Sequence, residues 1–219
     1  MLTIKNTEVF GLERAIKASG NPMSIGEINT QVNKSDYDYY GYGIEDKEFK
    51  RAYKLGSVSC GSGHDNFLSG IIVTADFHFP NYWLKEFYRY HFVQTISSQS
   101  TMHRLTTMGK DENFSSMFNK YTARACVDIV KEIIDLYNSY NVDDFESKED
   151  YDEERYNTFM MIVSSLPMGF EMEMTITTNY LQLKTIYFQR RGHKLREDWG
   201  SFCDWCESLP MFKELIGIN

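Results

Sequence analysis

The sequence predicts a mixed α/β fold built as one large domain. Two stretches, residues 71–79 and 171–178, alternate apolar and polar side chains, and this period of two is typical of half-buried strands. Other stretches repeat apolar residues at helical spacing, most clearly residues 116–140. The 219 residues suffice to bury one sizeable core, so we predict a single domain over residues 1–219.

The composition narrows the classes of partner. A net charge of −8 without clustered Lys and Arg argues against binding to nucleic acid, because phosphate neutralisation needs such clusters. Charges interrupt the apolar start of the chain, and no uncharged run is long enough to span a membrane. We therefore expect a cytoplasmic protein that binds no membrane. The many Tyr and Phe residues offer stacking faces for a planar ligand, although large aromatic side chains are more often part of a core.

The first part of the chain contains two predicted helices and two irregular stretches. Residues 11–19 and 45–55 have helical spacing, and a glycine follows each helix as a stop. Residues 30–43 are rich in Asp, Asn, Gly and Tyr, which predicts a surface insertion. Its tyrosines either cover a bound ring or have no role in a site. Residues 57–64 are rich in Gly and Ser, so their backbone amides are candidates to face a ligand.

A helix rich in aromatic residues is predicted after the first strand. Pro80 suits its first turn, and apolar residues then recur on nearly every face as far as Val93. A helix of this kind is central, so Glu86, Arg89 and His91 are expected to enter a partly dry environment and to need partners. The alternative is that Glu86 and Arg89 pair with each other across one helical turn.

The next loop, residues 97–101, is rich in hydroxyl and amide donors. His103 and Arg104 follow it directly. Such a loop can hold one phosphate without a basic surface, although turns rich in Ser and Thr are also common in proteins that bind no phosphate.

The middle of the chain is predicted to be scaffold. Residues 142–154 are acidic and indicate a solvated connection that leads into another helix through Ile162. The helix over residues 116–140 is expected to bury one apolar stripe. The members of that stripe are Cys126, Ile129, Val130, Ile133 and Tyr137.

An arginine occupies the inward face of the helix that follows Asn179. Leu183, Ile186, Tyr187 and Arg190 recur there at helical spacing. A guanidinium cannot lose its charge, so it needs an anion, a carboxylate or polarisable carbonyls nearby. Arg190 is therefore a candidate for a ligand contact, and a buried structural ion pair is the alternative.

The four cysteines are expected to be unpaired thiols of a reducing compartment. Cys203 and Cys206 form a CxxC motif, but no second ligand pair stands at finger-like spacing. They fall in a predicted helix with Trp199 and Phe202, so core packing is favoured over a metal or redox role. We predict no metal site. No P-loop, dinucleotide-binding glycine motif, HExxH or GxSxG occurs.

Two stretches of the chain resemble the flavin-dependent thymidylate synthase family. In the first, the family has Gly-His, a strand, Gln-x-x-Arg-His-Arg and a loop Asn-Glu-x-Ser-x-Arg. These are mirrored by Gly63 and His64, residues 71–79, residues 86–91 and residues 97–102. In the second, the family has Leu-Pro, a strand, Asn, Arg and His-Ala-Gln-x-Glu. The matching positions are Leu166, Pro167, Asn179, Arg190, His193 and Glu197.

Several family positions carry other residues in this chain. Residues 89–91 read Arg-Tyr-His where the family has Arg-His-Arg, and Met102 and Val163 stand where arginines meet the nucleotide phosphate. His103 or Arg104 is a candidate substitute for the arginine replaced by Met102. The remaining replacements are Glu86 for Gln, Ser98 for Glu, Leu181 for Arg and Thr185 for Asn.

The resemblance implies a fold, a reaction and a set of site residues. The implied fold is a mainly antiparallel sheet flanked by helices, assembled as a homotetramer with sites between subunits. The implied reaction methylates dUMP at C5 to dTMP, with FAD as cofactor and NADPH and methylenetetrahydrofolate as co-substrates. Arg190 would be catalytic by polarising the uracil ring. The implied nucleotide-binding residues are Glu86, Arg89, Ser98, Gln99, Ser100, His103, Arg104 and Arg190. The implied flavin-binding residues are His64, Asn66, Arg89, Tyr90, His91, Asn179, Thr185 and His193.

Two alternatives remain open from the sequence. One is that the same scaffold serves another change at pyrimidine C5, such as hydroxymethylation, and the substituted phosphate arginines favour this variant. The other alternative is a non-catalytic nucleotide-binding homo-oligomer that kept the scaffold after its chemistry was lost.

Overall fold

The structure is a computed structural model that describes residues 1–32, 46–109, 111 and 113–218. Most of the predicted insertion over residues 30–43, including its tyrosines, lies outside the described residues. No helix in the described part of the chain is both long enough and apolar enough to cross a membrane.

The described residues form four strands and nine α-helices, which confirms the mixed α/β prediction. The strands are β1 (Thr3–Phe10), β2 (Ile72–Pro80), β3 (Gln94–Ser98) and β4 (Glu171–Asn179). The helices are α1 (Leu12–Ala18), α2 (Asp46–Gly56), α3 (Asn81–Phe87), α4 (Thr101–Met108), α5 (Arg124–Ser139), α6 (Lys148–Ser165), α7 (Tyr180–Arg190), α8 (Arg196–Ser208) and α9 (Phe212–Ile216).

The strands form one antiparallel sheet in the order β1-β2-β4-β3. The register of β2 and β4 follows from two backbone hydrogen bonds beside the ends of these strands. The N–H of Tyr180 donates to the carbonyl of Ile71 at 3.0 Å, and the N–H of Asn81 donates to the carbonyl of Phe170 at 2.9 Å. The partner number falls as the residue number rises, as an antiparallel pair requires. The antiparallel sheet implied by the family resemblance is therefore confirmed.

The chain divides into two compact units, and strands β2 and β4 contribute to both. The first unit contains Met1, His78–Phe87 and Ser98–Glu173. The second unit contains Leu2–Phe77, Tyr88–Ser97 and Met174–Asn219. The single domain predicted over residues 1–219 stays a prediction.

In the second unit, β2 packs its apolar face against helix α8. Ile71, Val73, Ala75 and Phe77 are buried, as the alternation in the sequence predicts. The Phe77 ring meets the Trp205 ring edge-on, with centroids 5.3 Å apart. Aromatic pairs in this geometry add to the energy of burial.

Helix α7 also follows the predicted pattern. Leu183, Ile186 and Tyr187 are buried, and the Tyr187 hydroxyl donates to the Glu207 carboxylate of α8 at 2.7 Å. Burial and this hydrogen bond raise the pKa of Tyr187 to about 12, so its hydroxyl stays a donor at neutral pH. The hydrogen bond ties α7 to α8 at a position one turn before Arg190.

In the first unit, α5 packs with α4 and α6 through a stripe that shares Val130 with the predicted one but otherwise differs from it. Val127, Val130 and Ile134 are buried, whereas Cys126 and Ile129 are exposed. Apolar residues occupy two neighbouring faces of this helix, so helical spacing alone did not select the buried one. The helix also begins at Arg124 and not at residue 116, because residues 114–117 form a separate 3₁₀ turn.

The acidic connection and the helix after it are also present in the first unit. Helix α6 begins at Lys148, inside the predicted acidic range of residues 142–154, and its Ile162 is buried. Ser147 caps the helix by accepting the N–H of Asp150 at 3.1 Å.

The predicted helix over residues 80–93 is confirmed only over Asn81–Phe87. Pro80 closes β2, helix α3 ends at Phe87, and β3 begins at Gln94. Within α3 the Trp83 and Phe87 rings stack at 4.5 Å, which accounts for the helical spacing in the sequence. The later apolar residues, as far as Val93, belong to the turns between α3 and β3, so their spacing matched a helix only by chance.

Strand β1 was missing from the prediction. Six of its eight residues are exposed, so the chain shows no alternation of apolar and polar side chains there. One of its contacts is with α8, where the Trp205 indole N–H donates to the Thr7 hydroxyl at 2.9 Å.

Candidate functional site

Arg190, the last residue of α7, is held by two aromatic side chains. Its Nε donates to the Tyr90 hydroxyl at 2.7 Å, and that hydroxyl donates to Gln189 Oε1 at 3.1 Å. The guanidinium carbon lies 4.7 Å from the centroid of the Trp199 ring and 5.6 Å from that of Tyr90. Aromatic faces attract the guanidinium without neutralising its charge. The side chain is thus half-buried, oriented and still cationic, close to the inward position predicted from the sequence.

A cleft of about 240 Å³, which we call the basic cleft, opens beside Arg190. Its lining residues are Arg190, Arg191, Gly192, His193, Arg196, Trp199 and Gly200. It brings together two of the predicted site residues, Arg190 and His193. The Nδ1 of His193 accepts the N–H of Leu195 at 3.2 Å, which fixes the imidazole in the turn between α7 and α8.

A second cleft of about 230 Å³, the strand-end cleft, lies where β4 meets α7. Its lining residues are Ile72, His91, Phe92, Gln94, Thr177, Thr178 and Asn179. It brings together two predicted flavin residues, His91 and Asn179. An imidazole, hydroxyls, an amide and an aromatic side chain in one open cleft form a donor set that suits a planar heterocycle with polar edges.

The turn that carries His91 is tied to β4 and α7. The N–H of Phe92 donates to Gln182 Oε1 at 3.3 Å, and the Thr178 hydroxyl donates to the carbonyl of Phe92 at 3.0 Å. Asn179 caps α7 by accepting the N–H of Gln182 at 2.9 Å. These contacts position the backbone around His91.

The dry environment expected for Arg89 and His91 is wrong. Both side chains are exposed, because α3 ends at Phe87 and the turn after it runs over the surface of the second unit. Glu86, still within α3 and in the first unit, is half-buried. Arg89 and His91 therefore keep their hydration and need no buried partner.

Lys184, a buried charge on α7 close to the candidate site, was not predicted from the sequence. It is 0% exposed on α7, and its ammonium donates to the carbonyls of Gly56 and Val58 at 2.7 and 2.6 Å and to Asp65 Oδ2 at 2.5 Å. All three partners are at the ends of the Gly/Ser-rich loop. The sequence did contain a signal for it: a lysine stands next to the apolar stripe of α7, and a charge that is buried there needs partners.

The loop anchored by Lys184 carries two predicted flavin residues. His64 and Asn66 are exposed on either side of the buried Asp65. Gly61 and Gly63 have φ values of 84° and 81°, a conformation that favours glycine. A Cβ at either position would meet nothing within 4 Å. The loop thus presents an open backbone surface, and the contact of its amides with a ligand stays a prediction.

The hydroxyl-rich stretch in the first unit is shorter than predicted, because β3 extends to Ser98 and α4 starts at Thr101. Ser100 caps α4 by accepting the N–H of His103 at 3.4 Å. Its hydroxyl therefore lies at the positive end of a helix, where anions are favoured.

Two other residues of this stretch hold its backbone. The N–H of Gln99 donates to the carbonyl of Glu173 at 2.9 Å, and the N–H of Glu173 donates to Gln99 Oε1 at 3.2 Å. Arg104 donates to the same Oε1. Ser98 and His103 are exposed. The arrangement leaves Ser98, Ser100 and His103 as the residues best suited to meet a ligand.

Thr185 is occupied within its own helix. Its hydroxyl donates to the carbonyl of Leu181 at 3.1 Å, one turn earlier in α7. It lies next to Lys184, and it lines neither of the two clefts. Its predicted contact with a flavin stays a prediction.

The cysteines are free, and the CxxC motif packs in the core as predicted. Burial raises the pKa of Cys203 to about 11 and that of Cys206 well above its ordinary value. Both thiols therefore stay protonated and unreactive at neutral pH. Among the described residues, no group of three or more His, Cys, Asp and Glu side chains is placed to hold a metal ion.

The fold is shared with solved structures of flavin-dependent thymidylate synthases. Two structures of this enzyme from Helicobacter pylori, both with FAD and dUMP, match with TM-scores of 0.66 and 0.62 at 13% identity. The matches cover 99% and 98% of this chain and 97% and 96% of those chains. The UMP/dUMP methylase PolB from Streptomyces cacaoi, bound with 5-Br dUMP, matches with a TM-score of 0.56 at 11% identity. That match covers 98% of this chain and 94% of the other. No protein-family model and no curated protein matches the chain.

Proposed function

We propose that the protein methylates dUMP at C5 to give dTMP, with FAD as cofactor, methylenetetrahydrofolate as carbon donor and NADPH as reductant. The observation that carries the proposal is the fold. Over nearly the whole chain it matches enzymes whose structures hold FAD with dUMP, and a methylase that holds 5-Br dUMP. The retained Arg190, clamped between Tyr90 and Trp199, supports the same reaction at the level of one side chain.

Arg190 is assigned the catalytic role. Methylation at C5 requires electron density to build up on the uracil ring, and a fixed cation beside the ring carbonyls and N3 stabilises that charge as it develops. A preoriented guanidinium does not have to reorganise during the reaction, and its charge is not lost at any working pH. Tyr90 and Trp199 act as positioning residues, because they hold the guanidinium in place.

The flavin is assigned to the strand-end cleft and to the loop that Lys184 anchors. When bound, FAD supplies hydride acceptance from NADPH and hydride delivery to the transferred carbon. His91 and Asn179 supply polar contacts for the edge of the ring, and the exposed loop with His64 and Asn66 supplies backbone amides for the diphosphate. Arg89, exposed beside Tyr90, adds a positive charge for a phosphate.

The nucleotide phosphate is assigned to the start of helix α4. Ser100 and the first amides of the helix offer donors at the positive end of its dipole, and His103 follows within the first turn. Gln99 holds this turn through its hydrogen bonds to the backbone of Glu173, and Arg104 donates to the side chain of Gln99.

The proposal is tested with purified protein. A flavoprotein spectrum, oxidation of NADPH that depends on dUMP and methylenetetrahydrofolate, and a product heavier by one methyl group are expected. Arg190→Ala should abolish turnover while circular dichroism shows an intact fold. A colourless protein that takes up no added FAD and does not oxidise NADPH would rule the proposal out. Binding of dUMP without any turnover would support the non-catalytic alternative instead.

A second candidate is a different modification at pyrimidine C5 on the same scaffold. Met102 and Val163 stand where the family has phosphate-binding arginines, and one protein with this fold is a methylase of both UMP and dUMP. Incubation with a panel of pyrimidine nucleotides followed by mass spectrometry separates the two candidates. A mass increase of one hydroxymethyl group, or a clear preference for another nucleotide, would favour the second.

A further inference from the structure

We propose that the basic cleft is a binding site for a phosphate monoester, with Arg191 and Arg196 as its anchoring residues. The lining contains three arginines and one histidine, and no Asp or Glu is among the lining residues. The chain as a whole carries a net charge of −8, so the positive charge of this cleft is opposite in sign to the net charge of the protein. A cleft lined by one sign of charge focuses its field and attracts the opposite charge.

Arg191 and Arg196 are available to a ligand. Both side chains are exposed, and within the described part of the chain neither guanidinium has a hydrogen-bond acceptor or an ion-pair partner. The Arg191 guanidinium carbon lies over the Phe188 ring, 5.3 Å from its centroid, and its charge also acts on Tyr187 and Cys203. Guanidinium groups present a planar fork of N–H donors that matches the oxygens of a phosphate, which makes phosphate the best-suited anion.

Two acidic residues follow Arg196 directly in the sequence. Glu197 and Asp198 lie in the first turn of α8, and neither lines the cleft. The Asp198 carboxylate is buried, and it accepts the N–H of Leu2 at 2.9 Å. Its charge is therefore already engaged with the backbone of the second unit.

The wall formed by α8 adds a second favourable feature. The helix begins at Arg196, and its N-cap residue, Leu195, has no side chain that can satisfy the first amides. Such a helix end carries a partial positive charge. Arg196 stands at this end, so a bound phosphate would meet its guanidinium at the positive end of the helix dipole.

The cleft also has room for a ligand. A Cβ placed on Gly192 or on Gly200 would meet nothing within 4 Å. With about 240 Å³ of open space, the cleft accommodates a phosphate and part of the group that it esterifies. The Trp199 ring lies below Arg190, so the floor of the cleft is rigid and aromatic.

The phosphate has two possible sources, and this part of the inference rests on the proposed function. One source is the 5′-phosphate of the pyrimidine nucleotide, which would then bind in this cleft in place of the start of α4, because Arg190 of the same cleft is assigned to the uracil ring. The other is the 2′-phosphate that distinguishes NADPH from NADH. The shared chemistry is a phosphate monoester dianion.

The first experiment measures phosphate binding without any turnover. Inorganic phosphate is titrated into the full-length protein by calorimetry at low ionic strength, and the thermal midpoint is followed in parallel. The test variant is Arg191→Gln/Arg196→Gln. The matched control is Arg14→Gln/Arg124→Gln, which removes the same charge from two exposed arginines outside the cleft. Binding is expected in the wild type and the control and at least tenfold weaker in the test variant.

The results separate the inference from the proposed function. Equal binding in the test variant and the wild type, or no binding in any of them, overturns the phosphate site even if the enzyme is active. Lost binding in the test variant alone supports it even if no turnover is found. A thermal midpoint of the test variant close to that of the control excludes unfolding as the cause.

The second experiment identifies the source in the same variants. Affinities are compared for dUMP against deoxyuridine and for NADPH against NADH. If the test variant loses the preference for dUMP, the nucleotide supplies the phosphate, and if it loses the preference for NADPH, the reductant does. If both preferences survive unchanged, the cleft binds no substrate phosphate, and the proposed phosphate-monoester site is overturned.

Discussion

Lys184 and Asp65 form an ion pair that is closed to solvent, with Nζ and Oδ2 2.5 Å apart and both side chains at most 3% exposed. The ammonium also bonds the carbonyls of Gly56 and Val58, so each of its three protons has an acceptor. The pair fixes both ends of the loop that carries His64. A charge of this kind is tolerated only because its partners are complete, which makes the pair a sensitive point of the fold.

Removing the lysine should destabilise the protein strongly. Lys184→Met leaves the Asp65 carboxylate buried without its cation, and a broken buried ion pair costs about 3–5 kcal/mol. Urea unfolding followed by circular dichroism measures the loss. Lys54→Met, at an exposed position of α2, is the control and should change stability by less than about 0.5 kcal/mol.

A second variant tests whether the charge is the cause. In Lys184→Met/Asp65→Leu no unpaired charge remains, so part of the lost stability should return. If the double variant is less stable than Lys184→Met, packing and the two carbonyl contacts matter more than the ion pair. If Lys184→Met is as stable as the wild type, the side chain is not buried in solution.

The Tyr90 hydroxyl should matter for activity through Arg190. In Tyr90→Phe the guanidinium loses its acceptor at 2.7 Å but keeps its contact with Trp199. One such hydrogen bond is worth about 1–2 kcal/mol, so kcat is expected to fall about 5- to 30-fold with little change in stability. Arg190→Lys should cost more, about 100-fold or greater, because an ammonium cannot reproduce the planar fork.

The measurement is steady-state kinetics with dUMP as the varied substrate. Tyr88→Phe is the matched control, because the Tyr88 hydroxyl contacts Thr95 at 3.3 Å and does not touch Arg190. A Tyr90→Phe variant as active as Tyr88→Phe would show that Arg190 needs no positioning by Tyr90.

Asp76 should make the folding stability of the protein depend on pH in the acidic range. Hydrogen bonds from Asn6, at 2.7 Å, and then from Thr175, at 2.6 Å, hold the pKa of Asp76 below its usual value. A depressed folded-state pKa contributes stability above the unfolded-state pKa of about 3.9. That contribution is lost as the pH falls through the folded-state pKa.

The comparison of the wild type with Asp76→Asn checks this sign. At pH 7 the variant should be less stable by about 1 kcal/mol, since the site is open to solvent and the gain is screened. Below pH 3 the difference should shrink towards zero. A difference that stays constant from pH 7 to pH 2 would contradict the role of the carboxylate charge.

The regular elements could be predicted from the sequence where one face is buried and the other exposed. Strands β2 and β4 and the buried stripe of α7 follow this rule. Strand β1 and the turn at Tyr88 do not follow this rule, because most of their side chains are exposed and the sequence shows no alternation of apolar and polar residues there. The buried face of α5 was wrong because apolar residues on two faces compete and only tertiary packing selects one.

The candidate site was predictable in its residue types but not in its partners. Arg190 was found because a permanent charge on an apolar stripe must be explained. Its acceptor, Tyr90, lies 100 residues away, and nothing local to either residue indicates the contact. The same holds for Lys184 and Asp65, which are 119 residues apart. The basic cleft joins the end of α7 to the start of α8, so its charge becomes visible only when the turn between them is known.

The homotetramer stays a prediction, and strand β3 is where a contact between subunits is expected. It stands at the end of the strand order, and Ile96 on it and Phe92 just before it are 59% and 69% exposed. An exposed edge with apolar side chains is a common site of association. Light scattering should give about 103 kDa, four times the 25.7 kDa chain.

Ile96→Lys should lower this mass, because a lysine on the edge disfavours pairing. Ile129→Lys, at a position that is 52% exposed on α5, is the control. A wild type that runs as a monomer at micromolar concentration would contradict the predicted assembly. An unchanged mass for Ile96→Lys would show that the contact between subunits lies on another surface.

The cysteines should react in two classes. At pH 8 a thiol with a pKa of about 11 is ionised in roughly one molecule in a thousand, and Cys203 is also buried. Cys206, fully buried with a pKa raised by the same cause, should be slower still. Iodoacetamide on the folded protein should therefore label Cys60 and Cys126 first, with the CxxC pair labelled only after unfolding.

The variant Cys60→Ser/Cys126→Ser isolates the buried pair: it should stay unmodified when folded and take up two groups in urea. Rapid labelling of this folded variant, or a disulfide between Cys203 and Cys206 in the purified protein, would mean that the motif serves redox chemistry and not packing.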